Sequence, residues 1–238
     1  MTAMTRFGSR LRTALALAVV ATVASVAGAA APASAIMGGT TSGVLRGQVN
    51  IWVNYGNTYA CTGILIGAQW VLTADHCVPD DPNTIRVWVG DRRPKHGQQI
   101  TVRGWSNEFK RRDAALLELS WPVQNTQNVV RFNAGPSLLK AGVTVAVRGW
   151  GGEYPNGPIP QSLKVCSMRV GASVVDQMRL DSGDGTPMKG DSGAAVWQGD
   201  LVQGMIITGN ELNDAIALQT SVLAGWIEAV SGIKGVRT

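Results

Sequence analysis

Ile85-Arg86-Val87-Trp88-Val89 sets Ile85, Val87 and Val89 at alternate positions. Period two turns those three toward a core and their neighbours the other way. The pattern returns in Ile100-Thr101-Val102-Arg103 and in Val143-Thr144-Val145-Ala146-Val147. Outward from these, the continuous runs Gly63 to Ile66 and Trp70 to Thr73 read as buried strands. Pro79-Asp80-Asp81-Pro82-Asn83 and Tyr154-Pro155-Asn156-Gly157-Pro158 are turn clusters between such runs. Many short strands with frequent turn signals predict an all-β sandwich or barrel.

One helix is expected, at the C-terminus. Val222, Leu223, Trp226, Ile227 and Val230 recur at helical spacing and form one apolar face, with Ser221 as a cap. That face is read as packing on its own domain. Asn133-Ala134-Gly135-Pro136 punctuates the chain between strand-like regions, so a boundary is expected near 132–142. Each half then holds about 100 residues, an ordinary domain size.

The first 35 residues stand apart. Arg6, Arg10 and Arg12 precede an uncharged apolar run, Ala14 to Ala31, and Ala33 and Ala35 occupy the small-residue positions of a cleavage site. This is the layout of a secretory signal peptide. The run is also about long enough to span a bilayer; the Ala-x-Ala ending selects cleavage and secretion, with no stable membrane association afterwards. Of the net charge of +5, the three arginines of this segment carry three, which leaves 18 basic against 16 acidic side chains, a net of +2. No basic run remains that would serve nucleic acid, so no such partner is expected. A chain 45% hydrophobic and 16% charged is a folded one. Export permits a disulfide among Cys61, Cys77 and Cys166, and three being odd leaves one thiol over. There is no Cys-x-x-Cys pair and no His/Cys cluster in the sequence, so neither a metal nor a cofactor is expected.

Three short elements carry chemistry. Only His76 and His96 are histidines. His96 sits in a basic polar loop and reads as a surface residue. His76 follows an apolar strand in Leu72-Thr73-Ala74-Asp75-His76-Cys77. In Gly190-Asp191-Ser192-Gly193 two glycines flank a serine just ahead of Ala194-Ala195-Val196-Trp197. A nucleophilic serine needs an exposed Oγ on a tight turn and amides free to face an oxyanion. Asp113 opens the apolar stretch Ala114-Ala115-Leu116-Leu117. An acid there can hold a histidine in one tautomer, although on local sequence alone it reads first as a solvated loop residue. Each element alone is weak. Their order, His then Asp then Ser, is one of three orders in which the triad occurs. The elbow Gly-x-Ser-x-Gly is not matched, since Ala194 stands where it wants glycine.

These residues resemble the trypsin/chymotrypsin peptidases, in particular secreted bacterial members. Thr73-Ala74-Asp75-His76-Cys77 is similar to the family's Thr-Ala-Ala-His-Cys, and Asp113-Ala114-Ala115-Leu116-Leu117 to its Asp-Ile-Ala-Leu-Leu. Gly190-Asp191-Ser192-Gly193 and Gly149-Trp150-Gly151 match its blocks, and Ile36-Met37-Gly38-Gly39 resembles its mature start. The resemblance covers residues 36–238. It implies two antiparallel six-stranded β-barrels, an N-terminal one in 36–132 and a C-terminal one with the terminal helix in 143–238. It implies a monomeric serine endopeptidase acting on protein or peptide through an acyl-enzyme, with His76, Asp113 and Ser192 as catalytic triad. The amides of Gly190 and Ser192 would form the oxyanion hole. Cys61 and Cys77 would be bonded and Cys166 free. The amine of Ile36, released by cleavage, would pair with Asp191. A binding protein on the same fold, or an esterase, are the alternatives.

The sequence departs from the family at several places. Asp75 replaces alanine beside the histidine, Ala194 replaces a second glycine, and Met188 stands at a disulfide position of the specificity loop. Ile207-Thr208-Gly209 takes the place of the substrate-binding edge Ser-Trp-Gly. Thr186 aligns with the base of the primary pocket, with Asp184 as the neighbour a gap would bring in. A neutral floor implies an apolar or small residue before the cut, not Arg or Lys.

Overall fold

The computed structural model describes residues 36–108, 112–209 and 214–237. The expected export signal, residues 1–35, lies outside the described residues. The strands are β1 (Thr40–Thr41), β2 (Gln48–Val53), β3 (Thr58–Gly67), β4 (Trp70–Thr73), β5 (Arg86–Val89), β6 (Gln98–Asn107), β7 (Ala115–Leu119), β8 (Thr144–Gly149), β9 (Lys164–Ser173), β10 (Gln177–Ser182), β11 (Ala195–Gln198), β12 (Leu201–Gly209) and β13 (Asp214–Gln219). Among the described residues one α-helix, α1 (Thr220–Ser231), follows them.

The strands form two closed antiparallel barrels of six. The first runs β2-β3-β4-β7-β6-β5 and closes where Asn50 pairs with Trp88. The second runs β8-β9-β10-β13-β12-β11 and closes where Val196 pairs with Val147. β1 adds to the second barrel, Thr40 pairing with Val165 and Thr41 with Lys164. Residues Thr40–Thr41 thus lie on the second barrel although they precede the strands of the first.

Alternation decides which core each side chain enters. Val87, Val89, Ile100 and Val102 fill the first barrel, and Val145 and Val147 the second. Along β3, Leu65 points into the first barrel while Ile64 and Ile66 point out of it, and both faces are buried. The outward set belongs to a third core, shared with Leu72, Leu116, Phe132, Trp197, Val202, Met205 and Leu218 from both barrels and the connection. This is why β3, β4 and β7 carry continuous apolar runs: a strand buried on both faces has no solvent side to mark with polar residues. Each such side chain stabilises by about 1.5–3 kcal/mol relative to exposure.

α1 begins two residues earlier than the Ser221 cap required. Ser221 lies inside its first turn, the residue before the helix is Gln219, which makes no side-chain capping bond, and Thr220 Oγ1 donates instead to the Val202 carbonyl. Leu223 and Ile227 enter the shared core, while Val230 stays exposed. Gly232, at φ 75°, closes the helix by donating its N–H to the Glu228 carbonyl.

Candidate active site

His76 sits in a short turn, Asp75–Cys77, directly after β4. Cys77 is joined to Cys61 of β3 with 6.0 Å between Cα atoms, which ties that turn to the barrel wall. β4 pairs with β7 through Thr73 and Ala115, so the residues just beyond Thr73 and just before Ala115 emerge on one rim. That register brings His76 and Asp113 together. The His76 ring Nδ1 lies 2.6 Å from Asp113 Oδ2, and its backbone N–H donates to Oδ1 at 2.9 Å. The hydrogen bond to Asp113 raises the imidazole pKa above its ordinary value, and the charges of Asp113 and Asp75 add to it against a burial that lowers it. Burial alone would raise the Asp113 carboxyl, but its hydrogen bonds and charge contact with His76 hold it below the usual range. The aspartate side chain is 32% exposed, so it stands at a rim and not in a sealed core.

Ser192 lies in the turn that leads into β11. Gly190 and Gly193, which flank the Asp191-Ser192 pair, have φ of 100° and 83°, a region that favours glycine. They are also too tightly packed for any side chain. A Cβ on Gly193 would stand 2.0 Å from the Thr62 carbonyl oxygen, and one on Gly190 would stand 2.6 Å from the Tyr59 ring. Ser192, Gly190 and His76 line one cavity of about 360 Å³, with the Cys61–Cys77 disulfide on its wall.

The turn's peptides are oriented one by one. The Lys189 carbonyl accepts the Gly152 N–H at 2.9 Å, and the Asp191 carbonyl accepts the Ala194 N–H at 2.9 Å. A trans peptide sets N–H opposite to C=O, so the Gly190 and Ser192 N–H groups face away from those partners. Among the described residues neither N–H donates to a protein group. β3 braces the same turn: Thr62 donates its N–H to the Ser192 carbonyl at 3.0 Å, and Tyr59 Oη and Thr62 Oγ1 donate to the Gly190 carbonyl at 2.9 and 3.1 Å. Neither Tyr59 nor Thr62 is named by the sequence reading. Each is an ordinary strand residue locally, and only the fold brings it to Gly190.

Asp191 is fully buried, and burial pushes its carboxyl up to about 7 despite two backbone hydrogen bonds. Its oxygens accept the Gly151 N–H at 2.8 Å and the Met188 N–H at 2.9 Å. A Cβ on Gly149 or Gly151 would stand 2.1 or 2.2 Å from that carboxylate. The Gly-Trp-Gly block is therefore the seat of Asp191. Ile36 is buried in the same barrel, packed in one cluster with Cys166. Cys166 is a free, buried thiol, raised by burial and by the charge of Asp191.

The residues expected at the primary pocket are closely packed. Thr186 is 1% exposed, donates its N–H to the Met37 carbonyl at 2.8 Å and turns its hydroxyl to Ser182. A Cβ on Gly209 would stand 2.1 Å from the Pro187 carbonyl oxygen, so the two walls touch there. Asp184 accepts the Ser167 N–H at 2.6 Å and is occupied on the outer side of the loop. Cys61, His76 and Cys77 bring possible metal ligands within 4.8 Å of one another, but the two sulfurs are spent on each other in the disulfide.

A profile of the trypsin family matches residues 36–227. Snake venom serine protease 2B of Craspedocephalus gramineus is 31% identical over 83 residues, which make up 30% of this chain and only 31% of that protein's length. Human heparin binding protein superposes with a TM-score of 0.75 at 19% identity, over 85% of this chain and 100% of that one. An atomic-resolution structure of HBP gives 0.73 at 18%, over 85% and 100%. At such identities the likeness establishes the two-barrel fold. With the profile running from Ile36 through both barrels into α1, the chain belongs to the trypsin family of serine peptidases.

Proposed function

We propose that the protein is a secreted serine endopeptidase that cleaves peptide bonds with His76, Asp113 and Ser192. The observation that carries this reading is the pair of unpartnered N–H groups, Gly190 and Ser192, at the serine beside a histidine that Asp113 already orients. Ser192 Oγ attacks the substrate carbonyl carbon, and His76 takes the hydroxyl proton. The oxyanion accepts the two N–H groups, and loss of one such donor typically costs about 2.7–4 kcal/mol. His76 then protonates the leaving amine, and the new chain end departs. Water attacks the acyl-enzyme with His76 again as base, and the acid product and the free serine are restored. Asp113 keeps the proton of Nδ1 in place and stabilises the imidazolium between these steps. Ser192 and His76 are not hydrogen-bonded to each other in the structure, so substrate binding has to bring the hydroxyl within reach.

Residues 1–35 are the export signal in this reading, and their removal leaves Ile36 as first residue. Its amine then pairs with Asp191. Purified protein starting at Ile36 should hydrolyse casein, and Ser192→Ala should fold normally and lose nearly all of that activity. Turnover of short-chain esters without casein cleavage would make it an esterase. An inert wild-type protein would return the fold to a binding role.

A further inference from the structure

Glu108, Arg112 and Asp176 form a chain of charges beside the aspartate that orients His76. Arg112 Nη1 donates to Glu108 Oε1 at 2.7 Å, and Arg112 Nε lies 3.4 Å from Asp176 Oδ2. Glu108 is 8% exposed, and its second carboxylate oxygen is buried without a hydrogen bond. A carboxylate so far from water is costly unless a cation pairs with it, and among the described residues that cation is Arg112. Two of the three also frame Asp113. Ala114 donates its N–H to the Arg112 carbonyl at 2.8 Å, which makes Asp113 the middle of a three-residue turn. Glu108 donates its N–H to the Ala114 carbonyl at 3.0 Å.

The far end of the chain of charges lies on the other barrel. Asp176 stands in the turn between β9 and β10, and its carbonyl accepts the N–H of Gln219, at the end of β13, at 2.8 Å. Gln219 is buried, and its side-chain amide donates to the Val174 and Val175 carbonyls, so that turn is held in place. The hydrogen bonds that Asp113 itself accepts come from His76 and Asp75, both on the first barrel. Ser192 belongs to the second. The charged link between the Asp113 turn and the barrel of Ser192 therefore runs through Arg112. We infer that Arg112 is a positioning residue: bridging Glu108 and Asp176, it holds the turn of Asp113 against the second barrel and so sets Asp113 and His76 relative to Ser192. This rests on the peptidase reading above.

The test compares the mature wild-type chain with Asp176→Asn, Asp176→Glu, Arg112→Met and the double variant of Arg112→Met with Asp176→Asn. Rates of peptide cleavage are taken per active site, titrated with a fluorophosphonate, and melting temperatures are measured alongside. Asp176→Asn cuts only the pair between barrels and leaves Arg112 on Glu108. It should lower kcat about two- to fivefold, the range of a partly exposed ion pair, with KM little altered. The charges that raise the His76 imidazole are those of Asp113 and Asp75. A loosened Asp113 gives up part of that support, so the acid limb of the kcat/KM profile should move to lower pH. Asp176→Glu, which keeps the charge, should restore both. Arg112→Met should lose at least as much as Asp176→Asn, and the double variant no more than Arg112→Met. Should Arg112→Met fail to fold, the two Asp176 variants decide alone. A lower melting temperature with unchanged kcat per site and an unmoved limb makes the bridge merely structural and overturns the inference. Losses that simply add in the double variant overturn it too. Either result leaves the peptidase reading standing, whereas an absence of any cleavage by wild type overturns both.

Discussion

His76 faces two acids of unequal standing. Asp113 holds its ring and its backbone amide, while Asp75, next to it in the chain, acts on it through charge. Asp75 itself is raised, by burial first and then by the charge of Asp113. Both acids favour imidazolium. In the proposed reaction the base is neutral imidazole, so activity should fall as pH drops through the His76 pKa. Removing the Asp75 charge takes away one cause of the raised pKa. Asp75→Asn should therefore move the acid limb of the kcat/KM profile to lower pH and leave the plateau nearly unchanged. A limb that stays in place would show that Asp75 is electrostatically silent.

At the scale of elements, β3 does more than wall a barrel. Its Tyr59 and Thr62 fix the carbonyls on either side of Asp191, and Cys61 between them anchors the histidine turn. Tyr59→Phe keeps the ring against Gly190 and deletes the hydroxyl's contacts with the Gly190 carbonyl and Thr62 Oγ1, of which the first is worth about 1 kcal/mol or roughly a fivefold rate change. The loss should fall on kcat with KM little altered, because the bond positions an oxyanion donor and touches no ground-state group. An effect confined to KM would contradict that role. The strands themselves were legible wherever one rule sufficed. Val87 and Val89 alternate because one face is buried, and Trp70 to Thr73 forms β4 as a continuous run because both faces are. His76, Asp113 and Ser192 stand out as candidates in the sequence because each borders such a run. The bracing residues could not, since Tyr59 meets Gly190 only across 131 positions of chain. The pocket is a similar case: alignment assigns Thr186 to its base and Gly209 to its edge, and carries nothing of the Pro187 carbonyl packed against Gly209. The Ser221 cap failed because a buried carbonyl, Val202, captured Thr220 and started the helix earlier.

Across the whole molecule, Ile36 and the turn that carries Ser192 share the second barrel. Asp191, raised from 3.8 to about 7 with no cation bonded to it among the described residues, destabilises the fold as pH climbs through that interval, because the unfolded chain gives up the proton first. A free amine at Ile36 would reverse this, since the opposite charge favours the carboxylate. Protein starting at Ile36 should thus be active and hold its melting temperature up to neutral pH. The same protein with one added glycine should lose both. Activity of the former should decline in alkali as the amine, ordinarily near about 7.7–8.0 and raised by pairing, loses its proton. Equal behaviour of the two forms would remove the activating pair. The central claim is a single nucleophile that the rest of the fold serves, and covalent capture tests it most directly. Mature protein treated with a fluorophosphonate and digested for mass spectrometry should carry one adduct, on Ser192, with Ser192→Ala unlabelled and His76→Ala labelled far more slowly. No adduct on wild type, or an adduct on another residue that survives Ser192→Ala, would contradict the account.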